Sequence, residues 1–153
     1  MSQATTDAAG ATDQVLEFTL GTETYCVDID YVTEIVDVGE LTELPNAPAY
    51  VDGVMDLRGR TTAIVDPKVI FDIEGGDSDT QRIIVFDPEI IADRKATGWL
   101  VDEVKQVVKL DEETIEEAPE GGRDAVRGVI KQDGDDDADG AFTVWVDPQA
   151  VHK

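Results

Sequence analysis

Residues 51–59 of the chain read VDGVMDLRG, and the first four of these residues return almost unchanged later in the sequence. The second copy is VRGV at residues 126–129, 75 positions further on. In both copies a glycine interrupts a β-branched run, which is typical of a bend or of a place where another backbone comes close. The stretch therefore indicates a β-rich chain made of two similar parts.

Three further matches flank this one in the same order along the chain. They pair Val27-Asp28 with Val101-Asp102, Pro45 with Pro119, and Val65-Asp66-Pro67 with Val146-Asp147-Pro148. The offset is 74 residues for the first two and 81 for the last, because the second copy carries an extra loop at 133–140. Four matches in one order with a slowly drifting offset indicate an internal repeat.

The repeat sets the predicted domain organisation. We predict a disordered tail at residues 1–14 and a single domain at 15–151. Two homologous β-units, about 15–75 and 80–151, make up this domain and are joined by the acidic linker 74–79.

Short apolar runs separated by turn residues predict most of the local structure. Alternation predicts strands at 16–20 and 25–29 around a turn at 21–23, and further strands at 63–65, 83–86, 99–101, 107–110 and 142–146. Val32, Ile35 and Val36 fall at helical spacing, which predicts a short helix capped by Asp28 or Asp30. Asp-Pro at 66–67 and 147–148 predicts a helical turn in each unit. Many short strands favour β-barrels or a sandwich.

The composition restricts the class of partner. Twelve Lys and Arg against 35 Asp and Glu give a net charge of −23, and the acids are spread along the chain. Nucleic-acid binding requires a basic surface, so we do not expect it. A dispersed acidic excess keeps a protein soluble in concentrated salt, which favours a halophilic source; the alternative is an electrostatic surface for a basic partner. The N-terminal residues resemble no signal peptide and no apolar run approaches a membrane span, so a cytoplasmic protein is expected.

Catalytic and metal-binding patterns are weak in this sequence. The single histidine is His152, the two serines are Ser2 and Ser78, and no phosphate-binding glycine loop occurs. Asp135 begins a D-x-D-x-D-G pattern, but the twelfth position, where a calcium loop needs Glu, is Val146. We therefore expect no enzyme activity, no cofactor and no metal. Cys26, Trp99 and Trp145 are expected in the core or at a subunit contact.

The same motifs resemble the CheW family. Residues 18–21 with Tyr25, residues 27–29 and residues 32–35 resemble its opening, and 44–48 resemble the segment before its central strand. Residues 51–59 resemble its best-known signature, in which Gly-Val is followed by Asn-Leu-Arg-Gly. This chain departs by carrying Asp56 for that Asn, and Thr61-Thr62-Ala63 where the family has an apolar run with a proline.

The resemblance implies a mainly β fold of two intertwined, SH3-like, five-stranded β-barrels with a few short helices. It also implies a non-enzymatic chemotaxis adaptor that joins the cytoplasmic tip of a chemoreceptor to the regulatory domain of a histidine kinase. Such an adaptor is cytoplasmic and is recruited to receptor arrays. Two alternatives stay open: a small acidic β-barrel that binds a ligand or metal, and the same adaptor role in a two-component pathway other than motility.

The resemblance also implies partner-binding positions. Val32, Glu34 and Ile35 match the first contact segment, and Gly53 and Arg58 match positions important for coupling. The alternatives are a solvated surface for Glu34 and a purely conformational role for Gly53. For Arg58 the alternative is an internal ion pair, since its five-donor guanidinium suits a carboxylate.

Overall fold

A computed structural model of the chain describes residues 14–74, 79–91, 95–110, 112–117, 125–131 and 142–151. Eleven strands and two one-turn α-helices are present in this part of the chain. They are β1 (Gln14–Leu20), β2 (Glu23–Asp28), β3 (Val32–Asp37), β4 (Val51–Leu57), β5 (Arg60–Val65), α1 (Pro67–Ile70), β6 (Arg82–Phe86), β7 (Thr97–Val101), β8 (Glu103–Lys109), β9 (Ile115–Glu116), β10 (Val126–Lys131), β11 (Phe142–Val146) and α2 (Pro148–Val151). The predicted tail, the centre of the linker, Pro119 and the 133–140 loop lie outside the described residues.

The strands form two sheets in which five equivalent strands lie in the same spatial order; the first sheet has β9 as a sixth strand, where five were predicted. The first barrel has the order β8-β1-β2-β11-β10-β9, and the second barrel has the order β3-β6-β7-β5-β4. Each contains one parallel pair, β2 with β11 in the first barrel and β5 with β7 in the second. Both parallel pairs join a strand of the N-terminal half to one of the C-terminal half. The two barrels are therefore intertwined, and the predicted mainly β fold is confirmed.

Equivalent strands share their irregularities as well as their order. The β4–β5 register shifts between Val51 and Gly53, and the β10–β11 register shifts between Val126 and Gly128. Both shifts fall in the sequence match that indicated the repeat. A glycine permits the bend that such a bulge requires, so one local sequence produces the same bend in both barrels.

The apolar residues of the predicted strands form two clusters. The larger cluster is shared by both barrels, because it contains Leu16 and Phe18 of β1 together with Phe86 and Trp99 of β6 and β7. Trp99 is fully buried there, and the Phe86 ring meets it edge-on at 5.1 Å. The smaller cluster around Met55 lies within the second barrel. The burial predicted for Trp99 is confirmed.

The predicted helical turns after β5 and β11 are confirmed. The Asp66 carboxylate accepts a hydrogen bond from Lys68 N at 3.0 Å, and Pro67 occupies the first position of α1. The Asp147 carboxylate accepts one from Gln149 N at 2.9 Å in the same way. An Asp cap satisfies a backbone donor that a helix start leaves open.

The helix predicted over residues 32–36 is wrong. A 3-10 helix covers Ile29–Tyr31 only, and the chain then enters β3. Val32, Glu34 and Val36 face inward while the residues between them are exposed. β-Branched side chains favour a strand, and pairing of β3 with β6 outweighs the local helical spacing.

Candidate partner-binding surface

The first predicted contact segment is the edge strand β3 of the second barrel. Val32 pairs with Phe86 and Glu34 with Val85, so Thr33 is an extra residue at a bulge. Val32 is half-buried and packs against the shared apolar cluster. Ile35 faces outward and is 37% exposed. Within this segment, Ile35 is therefore an apolar side chain that a partner can reach.

Arg58 lies at the tip of the hairpin between β4 and β5. Arg58 and Gly59 both have positive φ, +56° and +83°, as the central residues of a two-residue hairpin turn require. Asn, Asp or Gly adopts such a conformation more easily than Arg, for which it costs about 1 kcal/mol or more. The turn projects the Arg58 side chain from the barrel, and 79% of it is exposed.

An ion pair joins the hairpin tip to β3. Arg58 Nη1 lies 2.9 Å from Glu34 Oε1, whose side chain is 27% exposed. The structure thus brings together two residues that are 24 positions apart and that were both predicted as partner-binding. The guanidinium keeps further donors directed to solvent, because it has five and is largely exposed. The internal ion pair that was considered for Arg58 is present, and it leaves the side chain accessible.

Gly53 has a steric role in closing the second barrel. Its φ is +151°, and a Cβ atom added there would lie 2.4 Å from the Thr42 carbonyl oxygen. The close approach allows Thr42 and Val54 to exchange two backbone hydrogen bonds, each of 2.9 Å. The close backbone approach predicted for this glycine is confirmed. Of the five predicted residues, Glu34 and Arg58 are in contact, Ile35 is exposed on the outward face of β3, and Val32 and Gly53 are packed.

A buried ion pair anchors α1 and was not predicted. Lys68 Nζ lies 2.9 Å from Asp102 Oδ1, and each side chain is 8% exposed. The other oxygen of Asp102 accepts a hydrogen bond from Gly21 N at 2.6 Å. The carboxylate therefore ties the β1–β2 turn of the first barrel to the helix that follows β5. The sequence analysis included Asp102 in the Val-Asp match but gave it no role.

Asp28, the other aspartate of the Val-Asp sequence match, makes a different set of contacts, and strand pairing aligns it with Leu100 rather than with Asp102. It accepts a hydrogen bond from Trp145 Nε1 at 2.8 Å, and Arg127 Nη1 lies 3.4 Å from its other oxygen. The Arg127 guanidinium also covers the Trp145 ring at 4.6 Å, a cation–π contact. Burial raises the pKa of Asp28, against the Trp145 hydrogen bond and the Arg127 charge, which lower it.

The described residues hold no cluster of three or more His, Cys, Asp or Glu side chains that could bind a metal. The aspartate-rich loop that begins at Asp135 lies outside them, as does His152. Cys26 is fully buried, and burial raises the pKa of its thiol, so it behaves as the small apolar residue that was predicted. Within the same ranges no helix is both long and apolar enough to cross a membrane.

Comparisons with a family model and with known proteins all identify the same family. A family model described as the CheW-like domain matches residues 14–153. The chain is 35% identical over 107 residues to the chemotaxis protein CheW of Klebsiella aerogenes, covering 70% of this chain and 63% of that protein. It is 30% identical over 127 residues to the chemotaxis protein CheW of Bacillus subtilis, covering 79% of this chain and 78% of that one.

A solved structure shares the fold. The scaffolding protein TtCheW from Thermoanaerobacter tengcongensis superposes with a TM-score of 0.74 and 28% sequence identity. The superposition covers 89% of both chains. It therefore includes both barrels rather than one of them.

Proposed function

The chain belongs to the CheW family, and on that premise we propose that it is a chemotaxis adaptor that couples a chemoreceptor to a histidine kinase. Its partners are the cytoplasmic tip of the receptor and the regulatory domain of the kinase. The adaptor acts in the cytoplasm, where receptor arrays recruit it, and it catalyses no reaction itself.

The observation that carries this proposal is the match over both barrels to a scaffolding protein of the family. The shared apolar cluster fixes the two barrels against each other. Two surfaces held at a constant geometry let one protein present two partners to each other. That arrangement supports an adaptor better than a catalyst, since an adaptor requires position and no reactive group.

We propose that Ile35, Glu34 and Arg58 form a partner-contact patch on the second barrel. Arginine is one of the residue types that most often dominate binding energy at an interface. Arg58 also holds a left-handed backbone conformation that arginine disfavours. Strain of this kind accumulates at functional sites, which supports selection of Arg58 for its side chain.

The experiment measures partner binding and stability on the same variants. Arg58→Ala and Ile35→Asp are expected to weaken one partner by about tenfold or more, as loss of a central anchor does. An exposed ion pair contributes about 1 kcal/mol or less, so Arg58→Ala should lower the melting temperature by less than about 4 °C. Pull-down, kinase stimulation and thermal unfolding are measured in parallel.

Arg82→Ala is the matched control. Arg82 pairs with Asp37 at 3.2 Å on the same barrel and is half-exposed. Its replacement by alanine therefore removes the same charge from a comparable ion pair. It should leave binding unchanged. Normal binding by Arg58→Ala and Ile35→Asp would refute the patch, whereas failure of the wild-type chain to bind either partner would refute the adaptor proposal.

We also propose that the sequence units 15–75 and 80–151 are homologous repeats. A second proposal is that the chain is adapted to a cytoplasm of high salt concentration. The matching order of five strands in each sheet and the matching bulges support the repeats. The net charge of −23 supports adaptation to salt, because self-repulsion is screened over about 3 Å at 1 M ionic strength. Melting temperature should rise steeply from low to multimolar KCl, and an unchanged value would contradict the salt adaptation.

A further inference from the structure

A cavity of about 390 Å³ opens at the end of the first barrel. Its wall combines side chains of β1, β8, β10 and β11. Lys105, Lys109 and Lys131 line it, together with Glu17, Gln106 and Thr143. Three of the six lysines of the chain therefore line one cavity, although acids outnumber bases 35 to 12 overall.

The second barrel provides an internal comparison. Strand pairing makes Lys109 equivalent to Asp37 and Lys131 equivalent to Asp56, so the charge at both positions is reversed. The position of Glu17 is taken by Val85, which packs with Met55 in the smaller apolar cluster. At the Glu17 position the second barrel therefore has an apolar core residue, whereas the first barrel has a carboxylate that lines a cavity. A shared fold does not require this difference.

We propose that the cavity of the first barrel binds a small anion that carries at least two negative charges. The volume lies within the range of about 300–1,000 Å³ for small-molecule sites. Three ammonium groups against the Glu17 carboxylate leave an excess of two positive charges along the wall. Gln106 Nε2 donates a hydrogen bond to Glu17 Oε1 at 3.2 Å, which engages that carboxylate within the wall. Val108 and Ile130 supply an apolar floor for a short carbon chain.

Citrate and inorganic phosphate are the two probes of the site. Their binding is measured at constant ionic strength by titration calorimetry and by changes in the NMR chemical shifts of backbone amides. Lys109→Ala is expected to weaken binding by about threefold to fivefold, the range of one exposed charge pair. Lys109→Ala combined with Lys131→Ala should weaken it by roughly tenfold or more. A preference for citrate over phosphate would identify a carboxylate ligand, and the reverse a phosphate.

Two controls separate the site from the general charge of the chain. Lys95→Ala removes an exposed lysine that does not line the cavity and should change affinity by less than about twofold. Glu17→Gln keeps an oxygen that Gln106 can bond and should tighten binding by about threefold. No saturable binding of either probe, or equal losses from Lys95→Ala and Lys109→Ala, would overturn the proposal. Tighter binding of a hexaglutamate peptide than of citrate would overturn the small-anion proposal and indicate an acidic protein segment as the ligand.

Discussion

Replacement of Gly53 by alanine should destabilise the second barrel more than any other single methyl group added to its β4–β5 hairpin. The new Cβ would lie 2.4 Å from Thr42 O, so the two backbones must separate. The φ of +151° costs a non-glycine residue about 1–3 kcal/mol. Loss of the two Thr42–Val54 hydrogen bonds adds about 0.5–1.5 kcal/mol each. The expected loss is therefore about 4 kcal/mol, or about 8–16 °C in melting temperature for a domain of this size.

Gly59→Ala is the comparison that tests this reasoning. Gly59 also has a positive φ, but a Cβ atom there meets nothing within 4 Å. The free energy of unfolding of Gly59→Ala should fall only by the cost of a positive φ for a residue with a side chain, about 1–2 kcal/mol. Thermal unfolding gives the two melting temperatures, and hydrogen exchange at the amides of Thr42 and Val54 reports the pairing directly. Equal losses for the two variants, or unchanged protection of these amides in Gly53→Ala, would refute the steric argument.

Three further predictions concern buried polar groups. Lys68→Ala leaves the Asp102 carboxylate buried without its cation, so the free energy of unfolding should fall by about 3–5 kcal/mol in denaturant titrations, and a loss below about 1 kcal/mol would contradict this. Because burial raises the pKa of Asp28 above its usual 3.8, the folded state binds this proton more tightly than the unfolded state does. The contribution of Asp28 to the free energy of unfolding therefore falls as the pH rises from about 3 to about 7. Over this range the stability of Asp28→Asn relative to the wild type should increase. A difference in stability that does not change with pH would argue against the raised pKa. The Cys26 thiol should react with iodoacetamide only through unfolding, so its labelling rate should rise with denaturant; fast labelling without denaturant would show that the thiol is accessible.

The strands with regular alternation could be read from the sequence, but β4 and β10, which a glycine interrupts, were recognised only as bends, and β3 was mistaken for a helix. Its inward positions are Val32, Glu34 and Val36, so a charged residue interrupts the apolar alternation. The charge is acceptable because Arg58 reaches it from a hairpin 24 residues later. Sequence periodicity contains no information on such a distant partner, and the apolar spacing that remained matched a helix.

The candidate site was partly accessible to sequence reasoning for the same reason. Glu34 and Arg58 were each identified by family resemblance, but only the fold shows that they touch. The buried Lys68–Asp102 pair depends on a contact between residues 34 positions apart, and nothing in either local sequence marks a buried charge.

The order in which the two barrels can close during synthesis follows from the strands that each barrel contains. The second barrel uses β3 to β7, a continuous stretch from residue 32 to residue 101. The first barrel joins β1 and β2 to strands that end at residue 146. On a ribosome, the second barrel can therefore close while the first two strands still wait for most of their neighbours. During that interval the apolar side chains of β1, Leu16 and Phe18 among them, can already pack on Trp99 and Phe86 of the completed barrel.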